Sequence, residues 1–438
     1  MPSITRLACA AISCLLLAGP AWAADGLSPQ ERKISAAVDA GYENDIAMLA
    51  RLVEQNSGTY NLAGVEAIAR MLKPEFEALG FRVQWKPMTQ TKRAGHLVAT
   101  HAGSGKGKRI LLIGHLDTVF EADSPFKGFK REGERAIGPG VGDDKGGDMV
   151  ILAALRAMQA AGTLRDADIE VVLTGDEEDV GSPLDIARAD LIAAGKRADV
   201  ALDFENLSQQ DGRDIGSIAR RSSNIWTLTV SGKSGHSSGI FSESQGDGAI
   251  FELARIIAAF RSELPEPNLT FNVGLIGGGQ EAAFDASKSR VSASGKDNII
   301  PPVAVARGDF RTLSVEQTKR VREKMQAIVA RHLPKTDATI EIEEHYPPMA
   351  PTAGNRALLA KLNDVNRDLG LPAMAELDPL KRGAGDISFV AADTDGLIGM
   401  GVSGSGSHAP GETADLDSIK RQAKRAAILM HRLAQTPR

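Results

Sequence analysis

Three short apolar runs, Arg109–Gly114, Ile169–Thr174 and Asp199–Phe204, alternate with amphipathic helical stretches at Gly147–Ala161 and Pro183–Ala194. A run this short, without polar alternation, suits a strand covered on both faces. Repeated strand and helix of this length predict an α/β unit with a largely parallel sheet. The runs also share a kind of ending. His115 and Asp117 follow the first, Asp176 to Asp179 the second, and Asp203 and Glu205 close the third. Asp143 and Asp144 sit in the glycine-rich loop Gly138–Gly147 that leads into a helix. Ligand sites in open α/β sheets lie beyond the carboxyl ends of the strands, so these groups are expected to converge there. Carboxylates crowded together repel one another, at a cost in free energy that a cation removes.

Before these runs, Ser28–Arg51 and Gly64–Leu79 read as helices, the second stopped by Gly80. From about Ser217 the order changes to strand Trp226–Val230, helix Gly248–Phe260, strands Leu269–Ile276 and Val303–Leu313, helix Val315–Arg331 and strand Thr339–His345. That β-α-β-β-α-β order predicts a small α+β sandwich of ferredoxin-like type. Helix Leu358–Leu369 and strand Gly396–Val402, with His408 at its end, then resume the first pattern. A chain of 438 residues exceeds one compact core. The expected division is a discontinuous catalytic domain over residues 24–216 and 336–438, with an inserted domain over 217–335.

The first residues read as a leader: Arg6, an apolar run Leu7–Leu17, and Ala21-Trp22-Ala23 as a small-x-small cleavage site. This predicts a signal peptide over 1–23 and a secreted or periplasmic protein beginning near Ala24. The run falls short of the about 20 apolar residues of a membrane anchor. Both cysteines, Cys9 and Cys14, lie in the leader, so a bound metal must be held by His, Asp and Glu alone. The net charge of −5, without a basic block, argues against nucleic acid or an anionic membrane and for a small soluble ligand.

Isolated histidines such as His96, His101, His332, His345 and His431 read as surface or packed residues. His115 differs, because H-x-D after an apolar strand aims an imidazole at the site with an acid placed to accept its second N–H. Asp203 and Glu205 are two apart and point to the same side of a strand, so either can be the ligand there.

Six motifs in order carry a resemblance to a known family: G-H-L-D-T-V (Gly114–Val119), G-P-G-V-G-D-D-K-G-G (Gly138–Gly147), T-G-D-E-E (Thr174–Glu178), G-K-S-G-H-S (Gly232–Ser237), D-N-I-I-P (Asp297–Pro301) and G-S-H (Gly406–His408). Together they resemble the M20 metallopeptidases, which include glutamate carboxypeptidase, aminoacylase, succinyl-diaminopimelate desuccinylase and peptidase T. The resemblance implies a zinc-peptidase-type catalytic domain with an inserted dimerisation or lid domain. It implies two divalent ions per chain, Zn²⁺ with Mn²⁺ or Co²⁺ as substitutes, bridged by Asp143. His115 and Glu205 would complete one ion, and Glu178 and His408 the other. It makes Glu177 the general base, Asp117 the residue that orients His115, and His236 a donor to the substrate carbonyl of the neighbouring subunit's site. Asn298 and Arg311 are implied as contacts for a substrate carboxylate, and Gly383 and Gly385 in G-A-G-D as pocket-lining backbone.

The chain departs from the family pattern at three places. Asp144 stands where many relatives have Met, Asp203 competes with Glu205, and residues 280–296 are extra, an insertion expected to reshape the substrate pocket. The reaction implied is hydrolysis of a peptide or N-acyl amide bond next to a free carboxylate, most like a glutamate-type carboxypeptidase, by a homodimer. The alternatives are an aminoacylase-like N-acyl amino acid amidohydrolase and a periplasmic binding protein that lost catalysis.

Overall fold

The computed structural model describes residues 26–438, and the expected leader lies outside them. Its central sheet has six strands in the order Arg82–Pro87, Gly95–His101, Asp168–Thr174, Arg109–His115, Val200–Asp203, Gly396–Leu397. The last three pairings are parallel and the first two antiparallel, so the sheet is mostly parallel with an antiparallel edge. Side chains alternate between its faces. Leu111 and Ile113 enter one apolar core with Leu191, Ala194 and Val390. Ile110 and Leu112 enter the other, beneath helices Pro29–Glu54, Lys145–Ala160 and Leu416–Ala434. Burial on both faces is why these strands read as unbroken apolar runs. The first helix starts in a capping box: Ser28 Oγ accepts from Glu31 N at 3.2 Å, and Glu31 Oε2 accepts from Ser28 N at 2.6 Å. No described helix is long and apolar enough to cross a membrane.

The inserted unit is a four-stranded antiparallel sheet in the order Thr270–Gly279, Val303–Arg311, Ser223–Gly232, Thr336–Tyr346. Helices Ala249–Glu263 and Val315–Val329 cover one face, burying Trp226, Leu228, Val230, Ile256, Phe260 and Met325. This is the ferredoxin-like arrangement expected. The strand Thr336–Tyr346 pairs with Ser223–Gly232 along its whole length, so the insertion ends after Tyr346 and the boundary at 335 is corrected. The two connecting segments pair with each other, through Arg220 N to Met349 O (3.0 Å) and Met349 N to Arg220 O (2.9 Å). The extra residues form a hairpin, Glu281–Phe284 with Val291–Ser294, folded onto the inserted sheet. Lys288 at its tip reaches Glu343, 3.1 Å away on the far strand. The bonds of this hairpin attach it to the inserted sheet.

Two expected elements are broken. Pro183–Ala194 divides into Leu184–Ala187 and Ala189–Arg197, because Arg188 leaves helical geometry (φ −110°, ψ 7°) and turns its guanidinium into the interior. The strand expected over Gly396–Val402 covers only Gly396–Leu397. His408 lies beyond a second two-residue strand, Gly404–Ser405, in a turn with φ 64°, a conformation uncommon for a residue with a side chain.

Candidate metal centre

His115, the last residue of the central parallel strand, is buried, with Nε2 3.0 Å from Asp143 Oδ1. Its Nδ1 lies 3.1 Å from the Asp117 carbonyl and 3.4 Å from Asp117 Oδ1. The Asp117 carboxylate does a second task, accepting from the N–H groups of Glu177 (3.0 Å) and Glu178 (3.2 Å) and from the Thr59 hydroxyl (2.7 Å). It thereby ties the end of one strand to the T-G-D-E-E loop at the end of its neighbour.

Asp143 presents its other oxygen, Oδ2, 3.2 Å from His408 Nε2, which in turn stands 3.1 Å from Glu178 Oε2. Asp143 therefore sits between two imidazoles with one oxygen toward each, as a bridging carboxylate must. Asp144 is turned away from the cleft, its Oδ2 accepting from the His115 backbone N–H at 3.3 Å. Ligand atoms of His115, Asp143 and Glu178 lie within 4.8 Å of one another, and so do those of His115, Glu177 and Glu205.

Glu205 faces the cleft, whereas Asp203 is buried behind it and accepts from the Glu205 N–H at 3.2 Å. Arg220, on the entering connection, reaches both: its Nη2 is 2.5 Å from Glu205 Oε2 and 3.3 Å from Asp203 Oδ2. Arg382 Nη2 is 3.6 Å from the same Glu205 oxygen and has no hydrogen-bond partner. These two guanidiniums carry no motif of their own in the sequence; Arg382 lies far along the chain from Glu205, and Arg220 reaches the Ala384 carbonyl as well as its nearer carboxylates. Gly385 is explained by one of them, since a Cβ there would come within 2.3 Å of Arg220 Cζ. Glu412, also unforeseen, accepts from the N–H groups of Gly140, Gly142 and Asp143 at 2.8–2.9 Å and so shapes the loop that carries Asp143.

Asp143, Glu177, Glu205, His408 and the Gly383–Ala384 backbone line a cleft of about 280 Å³ with these arginines. A larger cleft, about 630 Å³, opens at the opposite strand ends, where Arg109, Arg197 and Arg438 are already paired with Asp199, Glu170 and Asp168. Arg311 borders the first cleft, its Nη1 3.6 Å from where a Gly383 Cβ would stand. His236 and Asn298 are brought together, through the Gly235–His236 and Ile299–Ile300 pair and a bond from Ser237 N to Asn298 O (2.9 Å). They are not brought to the cleft. His236 is exposed, and its Nδ1 is 2.8 Å from Ser238 Oγ.

The electrostatics of this cluster call for positive charge. Burial pushes Glu178 and Asp203 up to about 7, and pushes Glu177 well above the usual carboxylate range. The Asp143 and Glu178 carboxylates raise His408 to about 11. Burial opposes protonation of His115, but Asp117 and Asp143 outweigh it and raise this group too. Glu178 Oε1 is buried with no hydrogen-bond partner. An oxygen and nitrogen donor set without thiolate, with one carboxylate oxygen still unsatisfied, fits divalent cations of the zinc type.

Comparison with known proteins places the chain in a family. The family model described as Peptidase family M20/M25/M40 matches residues 111–432. Carboxypeptidase G2 of Pseudomonas sp. (strain RS-16) is 28% identical over 444 residues, covering 98% of each chain. Succinyl-diaminopimelate desuccinylase of Gluconobacter oxydans (strain 621H) is 30% identical over 255 residues, 55% of this chain and 62% of that one. Acetylornithine deacetylase of Proteus mirabilis (strain HI4320) is 30% identical over 233 residues, 50% and 56% of the two chains. Among solved structures, the Bacillus subtilis YXEP protein, a dinuclear metal-binding peptidase, shares the fold at 16% identity and a TM-score of 0.62, covering 91% of this chain and 99% of that one.

Proposed function

The chain belongs to peptidase family M20/M25/M40, a metallopeptidase and amidohydrolase family, and on that premise we propose that it cleaves a peptide or N-acyl amide bond next to a free carboxylate, as a glutamate-type carboxypeptidase does. The observation that carries the reading is Asp143 set between His115 and His408, with Glu177 in the wall of the same cleft. Asp143 would bridge two cations, His115 and Glu205 holding one and Glu178 and His408 the other. When bound, such ions supply Lewis acidity, which acidifies water and polarises a carbonyl. Glu177 takes a proton from the attacking water and delivers it to the leaving amine. Its backbone is already held by Asp117, which also faces His115.

The substrate carboxylate is assigned to the guanidinium side of the cleft. Arg382 has an unused N–H donor there, and Arg311 borders the Gly383 backbone. The extent of the likeness to carboxypeptidase G2 supports this choice. The desuccinylase and deacetylase likenesses favour, as a second reading, an aminoacylase-like amidohydrolase acting on N-acyl amino acids. A screen of dipeptides and N-acyl amino acids with added Zn²⁺, Mn²⁺ or Co²⁺ decides between them. The expected result is turnover confined to substrates with a free α-carboxylate, strongest for glutamate. Equal turnover of carboxamide analogues would overturn it.

The inserted domain supports a homodimer. Ile250, Phe251 and Phe241 are exposed beside the edge strand Thr270–Gly279, on which Ile276 is exposed too. His236, remote from its own cleft, then serves the site of a second copy as donor to the developing oxyanion. His236→Ala should lower kcat by roughly 10²–10³-fold with metal content unchanged. Co-expression with Glu177→Gln chains should restore part of the activity, since a mixed dimer has one complete site. A verified mixed dimer without recovery would rule out the shared site.

A further inference from the structure

Arg188, fully buried, lies at the centre of a polar cluster that the proposed chemistry leaves unused. Its Nη1 donates to Asp176 Oδ1 (2.6 Å), its Nη2 to the Asp176 carbonyl (3.1 Å) and its Nε to Asp386 Oδ1 (2.8 Å). Asp386 Oδ2 accepts from the Thr174 hydroxyl at 2.5 Å, and Asp176 Oδ2 from Gly181 N at 2.9 Å. Nη2 also lies 3.3 Å from the Tyr346 hydroxyl, which donates to the carbonyl of Glu177 at 2.8 Å. The tyrosine ring packs on Phe389, with centroids 5.0 Å apart.

The loop that carries Glu177 is thus gripped from two sides. Asp117 takes its N–H groups, and the Arg188 cluster takes Thr174, Asp176 and the Glu177 carbonyl. Burying a guanidinium with two carboxylates is costly, and replacement by apolar packing is often neutral or stabilising. Stability is therefore a poor reason for the cluster, and the placing of a neighbouring group a better one.

Resting on the reading of Glu177 as the base, we propose that Arg188 and Tyr346 are positioning residues for it. Neither touches the reacting atoms. They hold the peptide planes on both sides of Glu177, so that its carboxylate meets the attacking water in one geometry. A displacement of about 1 Å in such a group can cost ~10²-fold in rate.

The test uses the full chain loaded with metal. Tyr346→Phe keeps the ring on Phe389 and removes only the hydroxyl. It should lower kcat about tenfold, as expected for one lost anchoring bond, with KM and metal content unchanged and the melting temperature lowered by only a few degrees. Arg188→Lys keeps the charge but its single ammonium, with three donors, cannot meet Asp176 Oδ1, the Asp176 carbonyl, Asp386 and the Tyr346 hydroxyl at once, and it should lower kcat by about 10²-fold. Should it fail to fold, Tyr346→Phe decides alone. In a Glu177→Gln background Tyr346→Phe should change the residual kcat less than about twofold, because residues acting through one group are not additive. Independently of activity, backbone amides of 174–179 should exchange faster with solvent in Tyr346→Phe. Unchanged kcat, an equal loss in the Glu177→Gln background, or unchanged exchange would overturn the proposal. Retention of full kcat by Glu177→Gln would instead remove the base assignment, with the exchange measurement still judging the anchoring.

Discussion

Glu177→Gln should leave a folded protein with its full complement of metal and a kcat lower by several powers of ten. A general base contributes roughly 10²–10⁴-fold, and an amide in its place also positions the attacking water differently. Metal retention is expected because Glu177 is held by its backbone, through Asp117 and Tyr346, and its side chain is additional to the five proposed ligands. The neighbouring substitution, Glu178→Gln, should have the opposite signature. Its carboxylate faces His408 and keeps one oxygen buried and unpartnered, so metal occupancy should fall first and rate in consequence. Metal analysis and single-turnover kinetics on both variants check the pair. Near-normal rate and metal in both would refute the assignment of these two adjacent acids.

Removal of metal should abolish turnover altogether, and restoring about two divalent ions per chain should return it. The apoprotein should also melt at a lower temperature, because a ligand bound only by the folded state stabilises that state. Without cations, the carboxylates of Asp143, Glu177, Glu178 and Glu205 have only two imidazoles and the cleft arginines to balance them. Elemental analysis and calorimetry before and after chelation measure this. Activity indifferent to chelation, in a protein without stoichiometric metal, would end the two-metal reading.

The parts of the site legible in the sequence are those that depend on neighbours in the chain. His115 and Asp117 follow an apolar strand, and T-G-D-E-E ends the next, so the sheet itself dictates their convergence. The preference for Asp143 over Asp144 rests on the family resemblance, because side-chain direction in a loop follows no period; in the structure Asp143 faces the His115 ring, whereas Asp144 accepts from the His115 backbone N–H. Arg188, Arg220, Arg382 and Glu412 gave no signal, because each acts across long stretches of chain: Arg188 on Asp386, Arg382 on Glu205, Glu412 on Gly140. The break in the helix expected over Pro183–Ala194 has the same origin, since a buried ion pair overrode local helical preference at Arg188. The inserted domain was readable as a strand and helix order. Its far boundary was misplaced because pairing between Thr336–Tyr346 and Ser223–Gly232 is a contact between its two ends.

The insertion leaves and returns through two segments bonded to each other, Arg220 against Met349, which gives the molecule a modular architecture. A unit whose ends meet can be gained, lost or exchanged without rethreading its host, because joining the host across the gap closes only a short loop. Here the junction is chemically unequal. The proposed ligands and the proposed base belong to the host, whereas Arg220 and Tyr346 lie on the entering connection and at the last residue of the inserted sheet. An exchange at this junction would hand down the proposed metal ligands and base intact but replace His236, Tyr346 and the entering connection with Arg220, so rate and substrate acceptance would change together.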